Sequence, residues 1–292
     1  MASSLWWFLD VLVVCIVIIS AFAGAKRGFL STLASAIGCV VAMALAVAVS
    51  GDLSVSIYDS LIRDEVLSKT STAISSYKGS EEISLSLSSH YEGVTLSSES
   101  VSEALSNSEN ISQSINELLC SGTGQPLTPE ETDKLLQDAF ETTFGNKIEE
   151  NLPAFCMQKL REDTRSDTSD LTTAVFSVVS GNTEDAAEFI ESTYIRPVIV
   201  SVIKTICIIV IFTVVAVAFR LASDLILKTI TPEPIKTVDK FAGLIIGALL
   251  GVLAVVVIGM GIDALITMSD GELVFLNEST IEKTRVFKHI LL

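Results

Sequence analysis

Apolar residues gather in two long blocks toward the ends of the chain, with a serine-rich, amphipathic stretch between them. Four apolar runs, 5–25, 29–50, 197–219 and 241–266, hold 21, 22, 23 and 26 residues. At a rise of about 1.5 Å per residue each covers roughly 30 Å or more, enough to cross the hydrocarbon core of a bilayer as a helix. The pattern predicts an all-α, polytopic membrane protein of four transmembrane helices. A first membrane hairpin occupies residues 1–50, an insert 51–196, a second hairpin 197–266 and a C-terminal tail 267–292. The first run has a second reading as a signal peptide, because Ala21-Phe22-Ala23 resembles a cleavage site. Against it, no Lys or Arg precedes the run, Asp10 interrupts it, and Lys26 and Arg27 follow it, the reverse of signal-peptide polarity.

Within the insert the pattern is helical. Ile57, Leu61, Ile62 and Val66 recur at helix spacing, and Ser100 with Glu103 forms a capping box ahead of Ala104, Ile111, Ile115 and Leu118. Thr128-Pro129-Glu130-Glu131 combines an N-cap, a first-turn proline and a capping-box acid. Leu136, Phe140, Phe144 and Ile148 then mark one apolar face, and Pro153 opens a further helix carrying Phe155 and Leu160. Gly181 ends a helix bearing Val175 and Val178, and Asn182 or Thr183 caps the next. Ile83-Ser84-Leu85-Ser86-Leu87 alternates like a strand, but one short run cannot make a sheet. From 51 to 121, 21 of 71 residues are Ser, so this half is expected to be the looser one.

Composition agrees with a membrane location. Of the 292 residues 49% are hydrophobic and 18% charged, against about 25% charged in soluble domains. Mean hydropathy is +0.57. A soluble cytoplasmic enzyme is excluded. The short link at 25–28 carries Lys26 and Arg27, and that at 220–240 carries Arg220, Lys228, Lys236 and Lys240. Short basic links stay inside, so both termini and residues 52–196 are expected to be extracytoplasmic. Residues 52–196 hold 9 basic and 26 acidic residues, a net −17 beside −16 for the whole chain. That charge makes nucleic acid or anionic lipid a poor partner for the outer face.

Candidate chemistry is sparse. Cys15, Cys39 and Cys207 fall in the spans as small hydrophobes, while Cys120 and Cys156 are both external and either form a disulfide or stay free. No CxxC occurs, and His90 and His289 are far from any cysteine, so no metal site is expected. No nucleophile elbow or glycine-rich phosphate loop is present, and neither catalytic residues nor a cofactor are expected. Asn110-Ile-Ser and Asn277-Glu-Ser match the N-glycosylation sequon, which matters only in a eukaryotic secretory host.

The informative residues lie in the membrane. Gly243, Gly247 and Gly251 repeat every four residues, a doubled small-xxx-small stripe that lets another helix approach backbone to backbone. The stripe serves the bundle, self-association or another membrane protein. Gly24 and Gly28 frame the turn between spans one and two. Asp239 lies four residues before Gly243, either near the stripe or simply solvated in the inner link. Asp10, Lys204 and Asp263 are the deep charges. Lys204 either snorkels outward or pairs with Asp10 or Asp263, which fall at comparable depth.

These residues, in order, resemble the bacterial CvpA, or colicin V production protein, family. Asp10 sits near the start of span one, Gly-x-x-Arg-Gly-Phe runs from Gly24 to Phe29, Gly38 lies in span two, and Asp239 precedes the glycine helix. The likeness covers about 120 residues in the two membrane halves; the insert of about 145 residues departs from compact members, which have a short connection there. The resemblance implies a multi-pass protein of the bacterial cell membrane, associated with peptide-toxin production and the cell envelope. A related arrangement joins such a module to an external serine protease, whose motif is missing here. Two functions follow as expectations: a non-enzymatic scaffold or export accessory whose insert meets an envelope partner, or a transporter or channel subunit.

Overall fold

The computed structural model of the chain describes residues 6–90, 95–105, 111–124, 126–166, 168–180, 183–230, 238–268, 281–286 and 288. The sequon asparagines Asn110 and Asn277, and Gly181, Asn182 and His289, lie outside them. Among the described residues there is no strand. The chain divides into two compact units, Met1–Ile57 with Val200–Leu292, and Tyr58–Ile199.

The first unit holds the long apolar helices: α1 (Trp6–Arg27), α2 (Phe29–Ile57), α12 (Arg196–Ile230) from Val200 onward, and α13 (Val238–Met268). Among the described residues four helical stretches are long and apolar enough to cross a membrane, and only 17–28% of each most apolar window is buried inside the molecule. Trp7, Phe8, Ile19, Phe22, Val40, Val214 and Leu249 stand outward. An apolar surface of this extent needs lipid rather than water around it, and the protein is accordingly a multi-pass membrane protein. Inside the unit several close contacts are made by small residues. On α2, Gly38, Ala42, Ala46, Ser50 and Ser54, each four apart, are all buried. A Cβ on Gly38 would lie 2.8 Å from Phe219 Cβ, so α2 and α12 meet there at a distance only glycine permits.

The second unit contains α3 (Arg63–Ser76), α4 (Gly79–Ser89), α5 (Ser98–Leu105), α6 (Ile111–Thr123), α7 (Pro129–Phe140), α8 (Asn146–Glu149), α9 (Gln158–Ser166), α10 (Thr168–Ser180) and α11 (Thr183–Ile190). Three wider, π-helical turns interrupt them at Tyr58–Ile62, Glu141–Gly145 and Glu191–Ile195. The predicted box at Thr128 is present: its Oγ1 accepts from Glu131 N at 3.3 Å, and Thr128 N donates to Glu131 Oε2 at 2.9 Å. Leu136, Phe140, Phe144 and Ile148 are all fully buried. Phe140 stacks on Phe144 at 5.0 Å between centroids, and Tyr77 tilts against Phe144 at 5.3 Å. After Pro153 a 3-10 turn, Ala154–Met157, comes before α9, so Cys156, Met157 and Leu160 are the buried residues while Phe155 is half-buried.

In the Ser-rich half the described elements are helical, as the spacing predicts, but packed more closely than the composition suggests: Ile83, Leu87, Val101, Leu105, Ile111, Ile115 and Leu119 are buried in its core. Its serines turn back onto their own helices, as when Ser84 Oγ donates to Glu81 O at 2.8 Å and Ser76 Oγ to Ala73 O at 2.9 Å. The strand-like alternation at 83–87 dissolves for the same reason: Ile83 and Leu87 are one helical turn apart and buried, while Leu85 is 67% exposed. The cap of α5 also sits three residues earlier than predicted. Ser97, not Ser100, accepts through its hydroxyl, from Ser100 N at 3.1 Å.

Hydrogen bonding to the Thr128 backbone and hydroxyl holds Glu131 below the usual carboxylate range. A depressed carboxyl adds stability that is present above its unfolded value and lost as pH falls through the folded one. Between pH 5 and 3 the melting temperature of the full chain should therefore fall less in Glu131→Gln than in the parent. Parallel slopes would remove the box from the acid response.

Candidate functional site

The turn between α1 and α2 depends on Gly28. Its φ of +86° is a left-handed conformation that glycine adopts freely, and it closes α1 through Gly28 N to Gly24 O at 3.1 Å. Thr32, buried, donates from Oγ1 to Gly28 O at 2.7 Å and Gly24 O at 3.2 Å. Four N–H groups open any helix without an internal partner. At α2 one of them, Phe29 N, donates to Asp239 Oδ1 at 2.8 Å, from a residue 210 positions away. Asp239 itself stands in the first turn of α13, so its carboxylate serves the positive ends of two helices. A Cβ on Gly28 would overlap that carboxylate.

Along α13 the glycines fit α1 residue by residue. A Cβ on Gly24 would strike Gly243 O, one on Gly247 would lie 3.1 Å from both Ala21 Cα and Gly24 Cα, and one on Gly251 would lie 2.8 Å from Val17 Cα. Partners descend α1 as α13 ascends, so the helices are antiparallel. Gly243, Gly247 and Gly251 are all buried. The stripe is therefore filled by the chain's own first helix rather than left for another molecule. Asp239 is likewise a half-buried cap rather than a free residue of the link. Asp239→Ala should lower the melting temperature in detergent by the equivalent of about 1 kcal/mol, and Asp239→Asn, which keeps an acceptor, by less. Equal losses in the two variants would assign the effect to charge rather than to capping.

The other predicted charges separate. Asp10 accepts from the backbone N of Arg285 through both oxygens, at 3.1 and 3.2 Å. That bond holds a returning piece of the tail, where Ile281 is buried with Leu9, Val13, Val255 and Ile262. Lys204 and Asp263 are exposed, and among the described residues neither makes an ion pair with the other or with Asp10. Cys120 and Cys156 are free thiols, so the disulfide left open by the sequence is not formed. Burial pushes the Cys156 thiol up to about 12, which leaves it inert.

One constellation has no counterpart among the expected residues. In the second unit the π-helical turns at 58–62 and 191–195 bring the two ends of the insert together. Tyr58 OH donates to Glu191 Oε1 at 2.5 Å, and both residues are fully buried. The second Glu191 oxygen has no hydrogen bond and lies 3.8 Å from Arg63 Nε. Arg63 also pairs with Glu188 at 3.2 Å, while Arg196 reaches both Asp59 oxygens at 2.9 Å and lies over the Tyr58 ring at 5.8 Å. Burial, then the bond to Glu191, hold the Tyr58 hydroxyl protonated well above its ordinary value. The signal was legible in part, because Asp59 and Arg63 near one end of the insert are complementary to Glu188, Glu191 and Arg196 near the other.

Each constellation joins helix ends. Among the described residues no three His, Cys, Asp or Glu converge as a metal site. No family model, curated protein or solved structure matches the chain.

Proposed function

We propose that the protein is a non-enzymatic scaffold or export accessory of the CvpA type in a bacterial cell membrane. The observation that carries this reading is the elbow: Gly24, Gly28, Phe29, Asp239, Gly243 and Gly247, which bear most of the likeness, meet at one place although 210 residues separate its two halves. Residues that converge on a packing and capping role favour a structural function over a chemical one. The insert, closed on itself through Tyr58 and Glu191, is the part that meets an envelope partner or an exported peptide, and its acidity suits a basic one.

The test is restoration of colicin V secretion in a bacterium lacking its own CvpA-type protein. The parent chain should restore it, and a Gly247→Leu chain should not; failure of a stably inserted parent chain would overturn the reading. The transporter alternative predicts specific solute flux into liposomes holding the purified protein, and such flux would replace the scaffold reading. The accompanying topology places both termini and residues 52–196 outside, on the six basic residues of the two short links. Reporter fusions at Gly122 and Pro234 should read outside and inside; an external signal at Pro234 would invert the arrangement.

A further inference from the structure

The glycine contact between α1 and α13 ends at Gly251, where an added Cβ would lie 2.8 Å from Val17 Cα. Beyond it come Leu9 and Val13 on α1 and Val255 and Ile262 on α13, all buried in one cluster. Larger side chains hold helix axes farther apart than glycine does, which leaves a furrow between the two helices past that point. A returning piece of the chain lies in it. Ile281, 2% exposed, completes the cluster, with Ile16, Val17, Ile266 and Val286 packed against it. Asp10 stands at the rim and takes the N–H of Arg285 on both oxygens.

The seated piece is a small turn folded on itself. Thr284, also buried, donates from N and Oγ1 to Ile281 O at 2.9 and 2.7 Å, and its hydroxyl accepts from Lys288 N at 3.1 Å. The charged side chains take no part: Glu282, Lys283, Arg285 and Lys288 are exposed, and none makes an ion pair among the described residues. Ile281, Val286 at its edge and one N–H thus account for the hold on α1 and α13. The furrow rests on contacts that the tail does not make, because the glycines fix α1 against α13. A preformed apolar site with one acceptor at its rim has the make-up of a ligand site, and one filled through so few contacts can exchange its occupant.

We infer that this furrow is a peptide-binding site held shut by the chain's own tail, and that its partner is a segment of the same kind: a branched apolar residue followed four positions later by a free backbone N–H. The apolar walls take the side chain, and Asp10, a carboxylate beside apolar surface, requires the donor. The tail is tied to α13 through residues 269–280, so its effective concentration at the furrow is on the order of mM. A partner at ordinary concentration is kept out while the tail is seated. The inference does not depend on the scaffold reading.

The experiment uses the full chain in phosphatidylcholine nanodiscs and, as probe, a fluorescent peptide with the sequence of residues 278–289, read by polarisation above empty discs. Two receiving variants unseat the resident tail: Ile281→Asp, which removes the apolar plug, and Arg285→Pro, which removes only the N–H. The peptide should bind them about tenfold or more tighter than it binds the parent, whose tethered tail competes. Binding by either variant suffices, so misfolding of one leaves the test intact. Carrying Ile281→Asp in the peptide, or Asp10→Ala in the receiving chain, should weaken binding by about tenfold. Equal binding to the parent and both variants, no binding to either variant, or binding that survives both the altered peptide and Asp10→Ala would each overturn the inference.

Discussion

Gly247→Leu is expected to lower the stability of the membrane unit by about 3 kcal/mol, the upper end of the range for overpacking. Ordinary overpacking is relieved by turning a neighbouring side chain. Here the neighbours are backbone: an added Cβ would overlap Ser20 O and come within 3.1 Å of Ala21 Cα and Gly24 Cα. Only separation of α1 from α13 relieves that, and separation would also draw Asp239 from Phe29 N. The readout is thermal unfolding in detergent, with a fall of roughly 10 °C. Leu249→Ala, at a position 65% exposed on the same helix, serves as the control and should change little. If Gly247→Leu melts with the parent, the close approach of the two helices is not a source of stability.

Tyr58→Phe is expected to cost the insert about 2–3 kcal/mol, though it removes a single oxygen. Glu191 is fully buried, one of its oxygens already lacks a hydrogen bond, and Tyr58 supplies the bond to the other. Without that bond a desolvated carboxylate keeps only Arg63, 3.8 Å away. Removing one partner of a buried polar pair costs more than replacing both with apolar groups. Tyr58→Phe/Glu191→Leu should therefore recover much of the loss seen in Tyr58→Phe. Urea unfolding of the four chains of this cycle measures the coupling; additive losses would show that the bond contributes nothing of its own.

The apolar runs located the membrane helices because crossing lipid demands length and hydropathy together, both of which are local. The ends were less legible. α12 continues to Ile230, past the apolar run that stops at Phe219, and α2 continues to Ile57. A hydropathy run marks where lipid begins, not where the hydrogen-bond ladder stops, and Arg220, Asp224 and Lys228 are compatible with a helix in either solvent. Serine misled in another way: its composition suggests a mobile chain, yet at the surface of a helix its hydroxyl is satisfied by a carbonyl one turn back. Of the candidate site, the glycines were readable because spacing alone creates a stripe. Tyr58 and Glu191 were not, since no local spacing links them and their contact joins residues 133 apart. Asp239 fell between these cases, its position near the stripe being visible and its target, Phe29 N, being invisible until α2 was in place.

That last contact bears on how the protein is made. The first hairpin leaves the ribosome long before α13 exists, and 210 residues separate Phe29 from the carboxylate that caps it. At about 5–20 residues per second this is a wait of roughly 10–40 s. Throughout it, Ser20 and Gly24 face lipid without the helix that fits them, and the α2 terminus lacks its acceptor. A chain truncated after the insert would keep that vacancy permanently, displaying a small-residue surface and an uncapped helix end in the bilayer. Completion of the last helix is thus the step that finishes the first.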